Sequence, residues 1–119
     1  MPVQNLTTTV IKYKGPWTFV ANRVSSGGGY SATTRAGASA SWTFTGRAVA
    51  YVAPKLATGG FVKVYIDGVL RGRFNLHQAG SNVGLVIARF SVTNGTHTIR
   101  VVNDQAGART TLDAFLTIR

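Results

Sequence analysis

From residue 38 to residue 45 the chain alternates without a fault: Ala38, Ala40, Trp42 and Phe44 fall on one side, Ser39, Ser41, Thr43 and Thr45 on the other. A period of two with one dry and one wet side is the signature of a half-buried strand. Further β-rich runs occupy Thr7 to Tyr13, Trp17 to Val20, and about 47 to 53, 61 to 66, 69 to 76, 84 to 90, 97 to 102 and 111 to 118. Gly15-Pro16, the loop Ser25-Ser26-Gly27-Gly28-Gly29 and a hairpin turn at Asn94-Gly95 punctuate them. About nine strands without helical periodicity predict an all-β chain, a two-sheet antiparallel β-sandwich of jelly-roll type. Trp42 belongs to its core. In the last run Leu112, Ala114, Leu116 and Ile118 share one face, with Thr111, Asp113, Phe115 and Thr117 on the other.

The hairpin around Asp67-Gly68 can be followed residue by residue. A two-residue turn would set Ile66 opposite Val69 and force the apolar side Val62, Val64, Ile66 to share its face with Arg71 and Arg73. A three-residue loop Ile66-Asp67-Gly68, with Gly68 in the left-handed region, shifts the pairing by one residue and removes the conflict. Val62 and Val64 then join Leu70 and Phe74 inside. Phe61, Lys63 and Tyr65 gather outside with Arg71 and Arg73. Aromatic rings can stack on sugars or bases, and guanidinium groups bind carboxylate or phosphate through paired hydrogen bonds. The same long side chains would equally serve to cover the sheet and keep it soluble.

At 119 residues there is room for one domain spanning 1–119, with 1–16 as an N-terminal strand or arm and 17–119 as the sandwich. No apolar run approaches the roughly 20 residues of a membrane span, so no membrane insertion is expected. Cysteine is absent, which excludes disulfides, thiolate metal sites and thiol nucleophiles. The 13 Lys and Arg face only Asp67, Asp104 and Asp113, giving a net charge of +10. That field attracts polyanions at moderate salt, and it also favours colloidal solubility.

Catalysis fails on inventory. A glycosidase commonly places two carboxyl groups about 5 to 9.5 Å apart, and three Asp spread over turns and the last strand offer few ways to do so. Asp67 sits at a turn tip, and Asp104 is expected to make a local turn hydrogen bond in Asn103-Asp104-Gln105-Ala106-Gly107. His97 shares the side of Ile99 and Val101 as a packed histidine, and His77 lies in a loop. The reading is a non-enzyme with no metal site and no cofactor. The glycine loop lacks the following helix and Lys-Ser or Lys-Thr ending of a phosphate site. Loops at one sandwich end often carry binding, so Tyr30, Arg35, Lys55 and His77 form a second candidate cluster.

The stretches Ala38 to Gly46, Val49 to Lys55, Val64 to Val69, Gly95 to Val101 and Leu112 to Phe115 together resemble a known group. They are similar to the C-terminal jelly-roll modules of secreted and surface proteins of actinobacteria and related bacteria, within the galactose-binding-like, carbohydrate-binding-module class. The resemblance runs over about residues 17 to 118. It implies a non-catalytic appendage that binds glycans or anchors a protein to an envelope; the fold also serves as an oligomeric building block in viral particles. Many modules of the wider class hold a structural calcium on an N-terminal carboxylate and an aspartate of the last strand, the latter matched by Asp113. No acid precedes Asp67 here, so a cation that takes about 6 to 8 oxygen ligands is poorly served. Asp113 is expected to pair with an arginine or with backbone amides.

Two functions follow as expectations. The first is a binding or adhesion module for a glycan or anionic envelope polymer, extracellular or at the cell surface, with Phe61, Lys63, Tyr65, Arg71 and Arg73, or Tyr30 and Arg35, at the ligand. The second is a structural assembly protein, such as a virion decoration or tail component or a surface subunit, working as a homo-oligomer or in a larger assembly. Met1 to Asn5 carries no basic region or apolar stretch of a secretory signal, which favours the second. Non-specific nucleic-acid binding has charge behind it but no recognised motif.

Overall fold

The computed structural model describes residues 11–21, 29–79 and 82–118. Within them lie nine strands: β1 (Lys12–Lys14), β2 (Thr18–Ala21), β3 (Gly29–Thr33), β4 (Ser39–Lys55), β5 (Phe61–Ile66), β6 (Val69–Asn75), β7 (Asn82–Asn103), β8 (Thr110–Leu112) and β9 (Ala114–Ile118). A six-stranded sheet is ordered β1-β4-β7-β5-β6, with β9 also paired to β4, and a three-stranded sheet is ordered β2-β3-β8. The all-β, two-sheet antiparallel sandwich expected from the alternation is therefore the fold. Of the expected first strand, Thr7 to Val10 lie outside the described residues, as do Ser25 to Gly28 of the glycine loop.

Two pairs of expected strands are single long ones. The runs at 38–45 and 47–53 form the 17-residue β4, and those at 84–90 and 97–102 the 22-residue β7. Asn94-Gly95 is accordingly no hairpin turn. Gly46 faces Gly95 and Ala48 faces Ser91, so Val92, Thr93 and Asn94 stand against Arg47 alone. A bulge needs the same adaptable backbone as a turn, and it bends both strands without ending their pairing.

The last run divides in the opposite sense. Thr110–Leu112 pairs with β3 in the small sheet, and Ala114–Ile118 pairs with β4 in the large one. The alternation breaks at Asp113, whose N–H donates to the Val52 carbonyl at 2.8 Å. Leu112 and Phe115 are consequently both buried, while Leu116 and Ile118 face solvent.

The Asp67-Gly68 hairpin corrects the expected loop. Ile66 does pair with Val69 across a two-residue turn, with φ of 52° at Asp67 and 82° at Gly68. Positive φ at both positions gives the turn twist that suits a tight hairpin. The one-residue shift comes later, where Tyr65 faces Leu70 but Val64 faces Gly72, leaving Arg71 as a bulge. The expected offset is present, displaced from the loop into β6. Phe74 packs against the core as anticipated, but Leu70 is 50% exposed on the Tyr65 side.

Val62, Val64 and Ile66 of β5, Ile99 and Val101 of β7, and Ala40, Phe44, Val49 and Tyr51 of β4 meet Leu112 and Phe115 in the core. Each large aliphatic side chain so buried contributes about 1.5–3 kcal/mol relative to exposure. Trp42 is half-buried, its ring stacked between Phe44 at 5.5 Å and Phe115 at 5.9 Å. Polar ties lock the two sheets: the Tyr51 hydroxyl donates to the Thr111 carbonyl, and the Thr111 hydroxyl donates to the Pro54 carbonyl at 2.9 Å.

Candidate functional site

The register of the large sheet assembles its outward side from five strands. One row across β6, β5, β7, β4 and β1 reads Arg73, Lys63, Val102, Ser39, Lys14. The next reads Leu70, Tyr65, Arg100, Ser41, Lys12. Opposed residues in a sheet share a face, so Lys12, Lys14, Lys63, Arg73 and Arg100 lie on one surface with Tyr65. Phe61, two residues from Lys63, belongs to it too. The Arg73 guanidinium stands 3.8 Å from the Phe61 ring centroid, and that of Arg100 stands 5.0 Å from Tyr65. Both contacts are within cation–π range.

Of the expected patch, the structure brings together Phe61, Lys63, Tyr65 and Arg73. Arg71 leaves it. As the bulged residue of β6 it is turned toward Phe90, 5.1 Å from that ring's centroid, and Phe90 pairs with the buried Val49. Arg71 thus borders a groove on the other side of the sheet with Val69, Val92 and His97. Sequence reasoning missed Lys12, Lys14 and Arg100, which only long-range pairing places beside Lys63.

Asp104 is the acid of this surface. Its backbone N–H donates to the Phe61 carbonyl at 3.0 Å, which carries the side chain to Arg73 Nε at 2.5 Å and Lys63 Nζ at 3.5 Å. The Arg73 hydrogen bond, with the nearby Lys63 charge, holds its carboxyl below the usual range. The local turn bond expected of Asp104 is made instead by Asn103, whose Oδ1 accepts from the Gln105 N–H at 2.9 Å.

A second polar cluster joins residues far apart in sequence. His97 Nδ1 is 2.5 Å from Asp67 Oδ2, and its Nε2 is 2.6 Å from the Thr93 carbonyl. The other Asp67 oxygen accepts from the Thr98 N–H at 2.8 Å. The Asp67 carboxylate and the Thr93 carbonyl both accept, which favours the protonated ring, and the Thr93 hydroxyl stands farther from Nε2 at 3.4 Å. The Asp67 hydrogen bond raises the His97 pKa, and the bond from His97, then that from Thr98, lowers the Asp67 pKa. Nε2 is thus directed at the Thr93 carbonyl, and the Thr93 hydroxyl lies beyond the distance at which a triad base holds its nucleophile. The packing expected for His97 is present, with Phe44 at 5.8 Å and the side chain 13% exposed.

The loop-end cluster fares differently. Tyr30 is 6% exposed, because Gly29–Thr33 is a strand between β2 and β8 rather than part of a loop, so its ring is not at a rim. Arg35 is exposed in the turn at 34–37, which the Gly107 N–H ties to the Thr34 carbonyl at 3.0 Å. Lys55 and His77 sit on segments bridged at Leu56 and His77. Among the described residues no three His, Asp or Glu side chains form a group able to hold a metal ion.

No protein-family model matches the sequence. The chain is 31% identical over 106 residues to part of an A type blood N-acetyl-α-D-galactosamine deacetylase of Flavonifractor plautii. That match takes in 86% of the chain, which spans 13% of the length of this curated relative. Among solved structures, a family 35 carbohydrate-binding module from Clostridium thermocellum is similar, with a TM-score of 0.61 at 14% identity over 89% of this chain and 90% of that one. A CBM36-1 domain of a multidomain xylanase from the hindgut metagenome of Trinervitermes trinervoides follows at 0.54 and 16%, over 91% and 94%. A cycloisomaltooligosaccharide glucanotransferase of Paenibacillus sp. matches at 0.61 and 18%, over 83% of this chain and 16% of that enzyme. The chain shares the jelly-roll fold of these carbohydrate-binding modules.

Proposed function

We propose that the chain is a non-catalytic carbohydrate-binding module, secreted or displayed at the cell surface as part of an adhesive or envelope-anchoring protein. The ligand, a glycan or anionic envelope polymer, lies on the outward side of the large sheet. The observation that carries this reading is the cross-strand register that gathers Phe61, Lys63, Tyr65 and Arg73, with Arg100, on one exposed surface. The fold shared with carbohydrate-binding modules supports it, as does the likeness to a segment of a deacetylase named for an amino sugar. The non-catalytic part is supported by how the acids are engaged: Asp104 by Lys63 and Arg73, and Asp67 by the His97 ring and the Thr98 N–H.

Binding to an array of neutral and acidic glycans tests the reading, with Arg73→Ala and Tyr65→Ala as paired variants. Loss of binding in both, with the fold intact by circular dichroism, supports it. Absence of binding to every glycan, at low salt and with calcium added, refutes it.

One feature favours the structural-assembly reading. Val86, Leu116 and Ile118, exposed by 59%, 54% and 43%, line a mostly apolar surface with Ala48, Val49 and Ala50, bordered by Arg89. Such a strip suits a protein contact. Light scattering of the purified chain decides: a defined oligomer dispersed by Leu116→Glu would favour assembly, and a monomer at low and high salt would favour the module.

A further inference from the structure

Resting on the carbohydrate-binding reading, we propose that the ligand is a linear polysaccharide bearing an anionic group on successive units, laid across the strands from β6 to β1. Its contacts include Lys12, Lys14 and Arg100, and no metal ion is required.

Neighbouring strands are about 4.8 Å apart, so Arg73 and Lys14, at opposite ends of one row, are separated by roughly 19 Å of sheet. Residues two apart on a strand are about 6.6 Å apart, which sets the second row, with Arg100 and Lys12, beside the first. Five cations thus occupy a two-row lattice several sugar units long. A single terminal acid would engage one or two of them, whereas a repeating charge can engage them together. Asp104 already bridges Lys63 and Arg73, which shows that a carboxylate fits between these two side chains. Among the described residues no ion pair involves Lys12, Lys14 or Arg100.

Two observations favour a polysaccharide over nucleic acid. Proteins that hold single-stranded nucleic acid add to a basic groove aromatic rings on which successive bases stack. Here a guanidinium already lies over each ring, Arg73 over Phe61 and Arg100 over Tyr65, so the rings serve to hold the guanidinium groups in place and the surface presents charge more than aromatic faces, to sugars and bases alike. Beside the charges the same side of β4 and β7 continues as a strip of hydroxyls. Thr43 bonds Thr98 at 2.9 Å, and Thr45 bonds Thr96 at 3.1 Å. A hydroxyl offers a donor and two acceptor lone pairs, so each keeps capacity for a sugar hydroxyl.

Titration calorimetry with polygalacturonate, its fully methyl-esterified form, a sulfated dextran and unmodified dextran, all with chelator present, tests this. The acidic polymers should bind and the two neutral ones should not, and the sulfate arm tells whether carboxylate geometry matters. Raising ionic strength from about 0.01 M to about 1 M cuts the Debye length from about 30 Å to about 3 Å and should abolish binding. The triple variant Lys12→Gln, Lys14→Gln, Arg100→Gln should weaken it about tenfold. Arg100→Gln alone should weaken it about two- to threefold, whereas Arg89→Gln, the same loss of one charge eleven residues along β7, should leave it unchanged. Should the triple variant fold poorly, the double variant Lys12→Gln, Lys14→Gln should still weaken binding severalfold, and an unchanged affinity would overturn the place given to β1.

Salt-insensitive binding of neutral dextran, unaffected by the triple variant, would overturn the inference and leave the carbohydrate-binding reading standing. Binding of no polysaccharide would overturn both. Equal displacement of polygalacturonate by single-stranded DNA of matched charge would overturn the assignment to polysaccharides.

Discussion

Replacing Tyr51 by Phe isolates the tie between the two sheets. The ring is fully buried in the core, tilted against Phe115 at 5.9 Å, and its hydroxyl donates to the Thr111 carbonyl of β8 in the opposite sheet. Phe keeps the ring volume, so no cavity opens and the packing cost is small. What is lost is one donor in a place without water, leaving the Thr111 carbonyl without that partner. The expected cost is about 1–3 kcal/mol, offset in part by the lower cost of burying a ring without a hydroxyl. For a chain of this size that is a fall in Tm of about 4 °C per kcal/mol. Equilibrium urea unfolding should show a lower midpoint at an unchanged slope, because the surface exposed on unfolding stays the same. Tyr51→Ala, which adds a cavity, should cost more, about 3–5 kcal/mol. Burial also pushes the Tyr51 phenol well above the ordinary tyrosine pKa, so it should ionise only as the chain unfolds. A Phe variant within about 0.5 kcal/mol of the parent would refute the role given to the hydroxyl.

The His97–Asp67 pair should make stability depend on pH in a definite direction. The raised His97 pKa means that its contribution is complete below about pH 6.5 and is lost as pH rises through the folded value. The lowered Asp67 pKa means that its contribution is present above the ordinary carboxylate range and lost in acid. Urea midpoints measured across pH should therefore decline on the alkaline side, and His97→Gln should flatten that decline; an unchanged slope would contradict the assignment. Gly46→Ala should destabilise by about 1–3 kcal/mol, read by thermal unfolding, since its Cβ would collide with the Ile118 carbonyl and the Thr117 hydroxyl on β9. Asp104→Asn should release Lys63 and Arg73 and tighten polygalacturonate binding about two- to threefold in calorimetry.

What the sequence made legible was what local alternation controls. The Ala40 to Thr45 run, the burial of Val62 and Val64 and the place of Trp42 against the core follow from period two, whereas Ser39, on the polar side of that run, is buried. Features that depend on which strands meet did not. Asn94-Gly95 has the chemistry of a turn, and only its pairing opposite Gly46 makes it a bulge. Tyr30 looked free because a glycine run precedes it, yet pairing with β2 and β8 buries it. Asp67 and His97 are 30 positions apart, and no local pattern could join them. Lys12 and Lys14 became part of the basic surface for the same reason, since the N-terminal strand takes the edge beside β4.

The division of the arginines shows how little backbone is needed to decide a surface. Arg71 and Arg73 are two residues apart, and in an unbroken strand they would share one face. With the two-residue turn in place, that face would have been the one carrying Val62, Val64 and Ile66, an untenable burial of charge. One extra residue at Arg71 resets the alternation beyond it, so that Phe74 meets Val62 and Arg73 meets Lys63. The residue absorbed by the bulge stays on the other side, where its guanidinium lies against Phe90. The bulge thus does two things at once: it satisfies the core and completes the outward row of cations. Without Arg73 that row would lack its β6 end, and Asp104 would face Lys63 alone. The basic surface is in this sense a consequence of hydrophobic register, and variants that shift the hairpin should lower stability and weaken polygalacturonate binding together.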